Sequence, residues 1–434
     1  MLNLQLDIDQ PQLPIGRGST RHLIARILPP APDPRRELPP LDLAIVIDAS
    51  GSMSGPPIEA AKEATLRLAG ELPPSTRLTV VSFANEVIVH ADGLQLDEQG
   101  RGEIFRNVAT IHPRGCTNLH AGWRTGCTLL SSDSDGAYGR RRHVVVLSDG
   151  HANQGVVDPH ELAREASEQL ERGITTSAVG IGDGYSPDQL AALTEHGGGA
   201  MHDAENAREI VEVLMGEVLS LSEVCAENVE LVLHFPEGVT ARELSGGMPS
   251  AFDGYRLTVS AGSVRAGVER AVVVRLEVSA SAESPMSYNA IALTGHLVWS
   301  EPGSRERLTG ATIGARAVRE VGVGAPPSLE DARAVLIAWQ ASIVRRVTAL
   351  NRDGDYSGLE TLWREEFRPF AAYAEAHQET REFGRTLSTM RKRAARPMPE
   401  RARKQAFDMS HKMATCAPSH YVAEKGNVAD QFRE

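Results

Sequence analysis

Residues 41–52 read Leu-Asp-Leu-Ala-Ile-Val-Ile-Asp-Ala-Ser-Gly-Ser, and they give the clearest indication of the fold class in this sequence. The almost unbroken apolar run Leu41–Asp48 is typical of a parallel strand that is buried on both faces. Asp48-Ala-Ser50-Gly-Ser52 follows directly, and a helix with apolar residues at three- and four-residue spacing begins near Pro57. This order of strand, loop and helix predicts the first unit of an α/β domain.

The alternation of strands and helices continues to about residue 222. The segments Arg77–Phe83, His143–Leu147 and Thr175–Ile181 have the apolar character of further strands, and helical patterns lie between them. We therefore expect residues 41–222 to form an α/β fold with a doubly wound, mostly parallel sheet.

The segments on either side of this domain predict a β-sandwich. Residues 223–325 have an all-β pattern, in which Val272, Val274, Leu276 and Val278 line one face of a strand. Residues 1–40 contain two strands and a proline-rich linker, and a two-stranded piece is not stable alone. We expect these N-terminal strands to join an antiparallel sandwich, with the α/β domain inserted into it.

The end of the chain predicts helices and then a tail. Residues 326–396 begin with a helix start at Ser328 and Asp331 and continue with an apolar helical stripe, so we expect a helical region. Residues 397–434 are polar and basic, which predicts a flexible tail. The stretch 391–404 holds seven Lys or Arg against one acid, and we interpret it as a solvated helix end and tail, with an acidic partner or nucleic acid as the alternative.

The overall composition argues against several classes of protein. The 434 residues carry a net charge of −12, which disfavours binders of nucleic acid or acidic membranes, because both need positive surface. The sequence has no apolar run long enough to predict a membrane span, and its first residues have no signal-peptide pattern. The four cysteines lack CxxC spacing and indicate reduced thiols. We expect a soluble cytoplasmic protein.

A doubly wound sheet binds ligands in the loops at the carboxyl ends of its strands. The sequence has oxygen-bearing side chains in three loops that we expect at this edge. Asp48, Ser50 and Ser52 follow the first strand, Thr117 precedes a helix, and Asp149 follows the strand His143–Leu147. Hard oxygen donors select Mg²⁺, Ca²⁺ or Mn²⁺ over zinc or copper. The alternative is that Ser50 and Ser52 only cap the helix that begins near Pro56.

These residues resemble a von Willebrand factor A domain with a complete metal-ion-dependent adhesion site. The resemblance covers Leu41–Ser222 and implies that Ser50, Ser52 and Thr117 are side-chain ligands of one divalent cation. It also implies that Asp48 and Asp149 hold coordinated waters or bind directly, and that the carboxylate of an Asp or Glu on a partner completes the octahedron. Cys116 stands where the family often has a second glycine before the threonine.

The order of the domains resembles bacterial intracellular proteins that combine this domain with an inter-α-trypsin-inhibitor-like β-sandwich and a helical tail. Such proteins often occur with AAA+ ATPases of the MoxR type, or with kinase and phosphatase signalling partners. The implied function is non-enzymatic: a metal-dependent protein–protein interaction module, acting as an intracellular scaffold or adaptor. The alternative is a regulatory subunit of such an ATPase or of a kinase/phosphatase complex.

A third hypothesis is a metal-dependent hydrolase. It would need a general base beside the metal, and His120 and His151 are on suitable loops, but neither has a recognisable partner in the sequence. No Gly-Lys pair exists, so a P-loop is absent.

Two weaker motifs have structural interpretations. The acidic segment Asn351–Asp355 lacks the later residues of a calcium loop and predicts a turn between helices. His196 and His202 flank three glycines, which we interpret as a glycine turn between helix and strand rather than as a zinc pair.

Overall fold

The computed structural model describes residues 1–33, 40–132, 139–149, 152–182, 185–204, 207–221, 223–280, 282, 290–304, 306–320 and 325–415. The chain begins with three strands, β1 (Asn3–Ile8), β2 (Gln12–Pro14) and β3 (Ser19–Leu28). The first and third pair antiparallel, from Asn3 opposite Leu28 to Ile8 opposite Leu23.

An α/β domain follows. Its strands are β4 (Leu41–Asp48), β5 (Arg77–Phe83), β6 (Val87–Gln95), β7 (Arg141–Ser148), β8 (Ile174–Ile181) and β9 (Gly198–Ala204). Its helices are α1 (Pro56–Glu71), α2 (Glu98–Ala109), α3 (Leu119–Ser132), α4 (Pro159–Glu171), α5 (Pro187–His196) and α6 (Ala207–Leu221). The strand order is β6-β5-β4-β7-β8-β9, and β6 alone runs antiparallel to its neighbour.

Strand β4 lies inside this sheet and is buried on both faces. Leu43, Ile45 and Ile47 pack into one core with α1, α2 and α6, whereas Ala44 and Val46 pack into a second core with α3, α4 and α5. Successive side chains of a strand point to opposite faces, so an unbroken apolar run fits a strand between two helical layers. The predicted doubly wound α/β fold is confirmed.

The chain then returns to the sandwich. The remaining strands are β10 (Val224–His234), β11 (Val239–Glu243), β12 (Ser250–Phe252), β13 (Arg256–Arg265), β14 (Arg270–Val278), β15 (Ala290–Ser300), β16 (Leu308–Thr309) and β17 (Ile313–Glu320). One sheet has the order β1-β3-β14-β11, and the other has the order β12-β13-β10-β15-β17-β2, with β16 on β15.

The N-terminal strands take part in both sheets. Strand β3 lies between β1 and β14, and the short β2 runs parallel to β17. Val272, Val274, Leu276 and Val278 point into the core between the sheets, as the alternating pattern predicts. The α/β domain is thus inserted in the chain between β3 and β10 of the sandwich, as expected.

In the part of the chain that the structure describes, five α-helices follow the sandwich: α7 (Leu329–Arg352), α8 (Tyr356–Leu362), α9 (Arg368–Ala374), α10 (Arg381–Ala394) and α11 (Glu400–Thr415). The Ser328 hydroxyl caps α7 by accepting a hydrogen bond from the Asp331 amide at 3.1 Å. The predicted turn at Asn351–Asp355 is confirmed, because α7 ends and α8 begins there. Among the described helices, none is both long and apolar enough to cross a membrane.

The flexible tail expected from residue 397 is wrong for its first part. Residues Glu400–Thr415 form α11, and Ala406, Met409 and Met413 are buried in the core of the helical region. Phe407 packs instead into the core of the α/β domain. The apolar residues of this segment are dispersed among many charged ones, so the sequence pattern did not indicate a buried helix face. Residues 416–434, including Cys416 and His420 of that tail, lie outside the described residues.

A buried polar cluster connects three strands of the α/β domain to α6. His202 Nε2 lies 2.7 Å from Glu217 Oε2, the Ser177 hydroxyl donates to Glu217, and His143 Nε2 lies 3.9 Å from the same carboxylate. His196 lies instead near Ser167, with 3.4 Å between Nδ1 and the hydroxyl oxygen. His196 and His202 therefore have different partners, which agrees with the interpretation of a glycine turn between helix and strand.

This cluster should make the domain sensitive to acid. Burial lowers the pKa of His143 to about 4. Burial raises the pKa of Glu217, but hydrogen bonding and the charge of His202 outweigh it and hold the pKa at about 2. The unfolded chain takes up a proton on His143 near its ordinary pKa of 6.5, and the folded chain does so only near 4.

We expect the free energy of unfolding to fall as the pH is lowered from about 6.5 towards about 4. Urea unfolding across this range should show a smaller fall for His143→Gln than for the wild type. The control is His112→Gln, at an exposed histidine, which should keep the wild-type pH dependence. An equal fall in all three proteins would contradict the prediction.

Candidate metal centre

The carboxyl end of β4 places Asp48 beside two neighbouring strand ends. Strands β5 and β7 flank β4 in parallel, with Asp48 opposite Phe83 and Ile47 opposite Leu147. Parallel strands present their carboxyl ends at one edge of the sheet. The loops that follow β4, β5 and β7 therefore meet at that edge.

Asp48 is the anchor of the first loop. Its side chain is fully buried. Its Oδ1 accepts a hydrogen bond from the Ser50 amide at 2.8 Å, and its Oδ2 accepts one from the Ser148 hydroxyl at 2.7 Å. The carboxylate thus holds the backbone of its own loop and the end of β7 at the same time.

Hydroxyl and carboxylate oxygens continue from this anchor towards the surface. Ser50 Oγ lies 3.0 Å from Ser52 Oγ, and the Ser52 hydroxyl donates to Asp149 Oδ1 at 2.7 Å. Ser50 is buried, Asp149 is nearly so, and Ser52 is exposed. Four of the five predicted ligands, Asp48, Ser50, Ser52 and Asp149, therefore form one connected group that reaches solvent.

Thr117, the fifth predicted ligand, lies on an adjoining loop. The Arg114 amide donates to the Ala49 carbonyl at 2.6 Å, and the Gly51 amide donates to the Gly115 carbonyl at 3.2 Å. On the other side, the Thr117 amide donates to Asn153 Oδ1 at 3.2 Å. Backbone hydrogen bonds thus hold the threonine loop between the Asp48 loop and the segment after β7.

Cys116 fits this loop without strain. The left-handed backbone conformation falls on Gly115, at a φ of +59°, and Asn228 is the non-glycine residue with positive φ in the described part of the chain. Cys116 is exposed, and its amide donates to Asn85 Oδ1. The loop therefore needs one glycine, at position 115, and tolerates a side chain at 116.

The alternative that Ser50 and Ser52 only cap a helix is wrong. The N-cap of α1 is Gly55, which makes no side-chain capping bond. Ser50 flanks a single 3-10 turn, Gly51–Met53, and its hydroxyl makes no capping bond either. Both hydroxyls instead belong to the polar group that contains Asp149.

The electrostatics of the group favour a bound cation. Burial raises the pKa of Asp48 to about 6, against hydrogen bonds from Ser148 and Ser50 that lower it, and the charge of Asp149 raises it further. Burial also raises the pKa of Asp149. Two buried carboxylates that repel each other are stabilised when a positive charge is placed between them.

The donor set also fits a small divalent cation by distance. Octahedral Mg²⁺ binds oxygen at about 2.0–2.1 Å, so adjacent ligand oxygens are about 3 Å apart. Ser50 Oγ and Ser52 Oγ are 3.0 Å apart, and Ser52 Oγ and Asp149 Oδ1 are 2.7 Å apart. The three hydroxyls and two carboxylates are all hard donors, which suit Mg²⁺, Ca²⁺ or Mn²⁺.

Of the two histidines considered as bases, His120 is now paired. Its Nε2 lies 3.0 Å from Glu165 Oε2 on α4, and Arg124 contacts the same carboxylate at 3.3 Å. His120 therefore has a partner that the sequence does not reveal, because Glu165 is 45 residues away and no local pattern connects the two. His151 lies outside the described residues.

Sequence reasoning also missed the residues that position the site. Ser148, Asn85 and Asn153 each hold one of the loops through a hydrogen bond. Ser148 directly precedes Asp149 at the end of a predicted strand, so the sequence could have indicated that Ser148 lies next to Asp48. The two asparagines are in loops, where nothing in the sequence indicates their partners.

Comparison with known proteins identifies the domain. Residues 42–214 match the family model of the von Willebrand factor type A domain, and the chain contains such a domain there. A von Willebrand factor type A protein from Catenulispora acidiphila has the same fold, at a TM-score of 0.68 and 18 % identity over 96 % of this chain and 97 % of that one. The ArnB paralog VWA2 from Sulfolobus acidocaldarius gives a TM-score of 0.56 at 16 % identity, over 96 % of this chain and all of the other.

The relatives found by sequence match only part of this chain, and this chain matches only part of them. An uncharacterised protein from Synechocystis is 27 % identical over 233 residues, which are 54 % of this chain and 54 % of that protein. Inter-alpha-trypsin inhibitor heavy chain H3 from Rattus norvegicus is 26 % identical over 226 residues, or 51 % of this chain and 25 % of the inhibitor chain. The match thus spans about half of the first relative and a quarter of the second.

The threonine loop gives a test of the local geometry. At Gly115 a Cβ would lie 2.5 Å from Asn85 Oδ1, and φ is positive. We expect Gly115→Ala to lower the free energy of unfolding by about 1–3 kcal/mol. Gly102→Ala is the matched control, because this helical glycine has only the end of Arg106 near its Cβ position. Urea unfolding of both variants measures the difference, and equal stability would contradict the loop geometry.

Proposed function

We propose that this chain is a non-enzymatic, metal-dependent protein–protein interaction module. Von Willebrand factor type A domains are commonly modules of this kind, and the chain contains one. The observation that carries the proposal is the connected group of hydroxyl and carboxylate oxygens at the carboxyl edge of the sheet, which spans the buried Asp48 and the exposed Ser52.

Each residue has a distinct role in this proposal. Ser50, Ser52 and Thr117 would hold Mg²⁺, or Ca²⁺ or Mn²⁺, through neutral oxygens, so most of the positive charge of the ion is preserved. Asp48 and Asp149 would bind it directly or orient its waters, and Asp48 is fixed for this by Ser148 and the Ser50 amide. The bound ion supplies an open coordination position and a positive charge for an Asp or Glu carboxylate of the partner.

The rest of the chain would act as a scaffold for the site. The sandwich contacts the edge strand β9 through β13, and the helical region contacts it through α11. Both offer surface next to the domain, consistent with an adaptor that docks a partner beyond one carboxylate. A place in an ATPase or a kinase/phosphatase complex would be a special case of the same role.

Removal of one hydroxyl should weaken cation binding. We expect Ser52→Ala to lower the Mg²⁺ or Mn²⁺ affinity about 10- to 100-fold, as calorimetric titration would measure, because the ion loses a donor. Ser54→Ala is the matched control, since Ser54 is exposed on the same loop and its hydroxyl donates only to the Gly51 carbonyl. Equal affinity in the two variants would show that Ser52 is not a ligand.

Partner binding should follow cation binding. Affinity capture with the wild-type chain in Mg²⁺ should retain a partner that is lost in EDTA and lost with Ser52→Ala, but kept with Ser54→Ala. Replacing single Asp or Glu residues of the captured partner should then abolish binding at one position. Capture that persists in EDTA and with Ser52→Ala would contradict the proposal.

A further inference from the structure

A cavity lies between the α/β domain and the helical region. Its volume is about 310 Å³, which is within the range of small-molecule sites. The start of α4 and the length of α5 form one wall, and α7 and α11 form the other. None of the five predicted metal ligands lines it.

The cavity wall is apolar over much of its area. Apolar side chains and prolines from all four helices line it: Pro159, Ala163, Pro187, Ala191, Ala192, Ala349 and Phe407. Such a wall, with a few polar groups that converge on it, is typical of sites that bind small organic molecules.

The charged groups of the cavity have an excess of cations. Arg345, Arg352 and Arg403 line it together with Asp188 and Glu195. Arg345 pairs with Glu195 at 2.7 Å, and Arg352 contacts Asp188. Arg403 forms no ion pair with any residue that the structure describes. Among the side chains that the structure describes, one guanidinium charge at the cavity therefore has no carboxylate partner.

Arg345 has hydrogen-bond donors to spare as well. One terminal nitrogen, Nη1, donates to Glu195, and the guanidinium lies 5.0 Å from the centre of the Phe407 ring. Its Nε and its other terminal nitrogen, Nη2, are buried and have no hydrogen-bond partner among the described residues. A buried donor without an acceptor destabilises the fold by about 1–3 kcal/mol, and more when the group is charged.

Two helix N-termini lie at the cavity, together with the last residues of α5, Glu195 and His196. Pro159 and His160 are the first residues of α4, and Pro187 and Asp188 are the first two of α5. The amino end of a helix carries about half a positive charge. Asp158 already caps α4, whereas Ser186, the N-cap of α5, makes no side-chain capping bond.

We propose that this cavity binds a small organic anion, with an apolar or aromatic body and one carboxylate or phosphate group. The body would pack against the alanines, the prolines and Phe407, and the anionic group would be held by Arg403 and by the Arg345 guanidinium, which would turn its two unpaired nitrogens from the protein interior towards the ligand. The proposal is independent of the metal site, because the two share no residue.

The test uses the fluorescent anion 1-anilinonaphthalene-8-sulfonate and its uncharged analogue N-phenyl-1-naphthylamine, with the full chain in EDTA. We expect saturable binding of the anion to one site, at least tenfold tighter than that of the uncharged analogue. Arg403→Gln should weaken anion binding about tenfold, and Ala163→Leu, which fills the cavity, should weaken both probes. Displacement by 2-naphthoate or by 2-naphthyl phosphate then distinguishes a carboxylate site from a phosphate site.

Arg396→Gln is the matched control, because Arg396 is exposed on the same region and does not line the cavity. It should bind both probes as the wild type does, and thermal unfolding should show that all variants are folded. If Ala163→Leu does not fold, the affinity of Arg403→Gln for the anion is sufficient to support or overturn the proposal. Wild-type affinity for the anion in Arg403→Gln, or equal affinity of the wild type for both probes, would overturn the proposal.

Discussion

The carboxylate of Asp48 is the constraint on which the site depends. A fully buried acid is unfavourable unless hydrogen bonds satisfy it, and here the Ser50 amide and the Ser148 hydroxyl do so. These two bonds direct the chain away from β4 in one conformation and bind it to the end of β7. In this conformation the Ser50 and Ser52 hydroxyls lie next to each other, and the Ser52 hydroxyl donates to Asp149.

The position of Asp48 depends in turn on the burial of β4 between two helical layers. The strand contributes side chains to two separate cores, so it cannot shift along its neighbours without disrupting both. A rigid strand that ends in a rigid acid gives a site whose oxygens are positioned before any ligand arrives. Oxygens positioned in this way would suit the proposed cation, because Mg²⁺ demands near-ideal octahedral geometry.

The sandwich and the helical region are connected by polar contacts as well as by apolar packing. Arg26 of β3 bonds to Asp7 at 2.8 Å and to Asp331 of α7 at 2.6 Å. Tyr373 of α9 donates to Asp9, which also holds His22 of β3. Since β3 carries both junctions, the N-terminal strands of the sandwich also fix the helical region, and that region in turn closes the cavity beside α4 and α5.

Much of this could be predicted from the sequence, because it follows from local patterns. The apolar run at Leu41–Asp48 determined a buried strand, the alternation of strands and helices determined the doubly wound sheet, and the unpartnered N-terminal strands indicated the split sandwich. The spacing of Asp48, Ser50 and Ser52 within one loop also predicted that they belong to one site. The helix α11 was missed, because its few apolar residues are dispersed among charges and become a face only when α7 and β9 are present to cover them.

The tertiary structure alone decided which distant residues meet. It paired His120 with Glu165 and assembled Arg345, Arg403 and Phe407 around a cavity. Each of these contacts joins residues many positions apart in the chain. The physical reason is that periodicity and capping act within a few residues, whereas long-range contacts depend on the strand order and on how the helical layers pack.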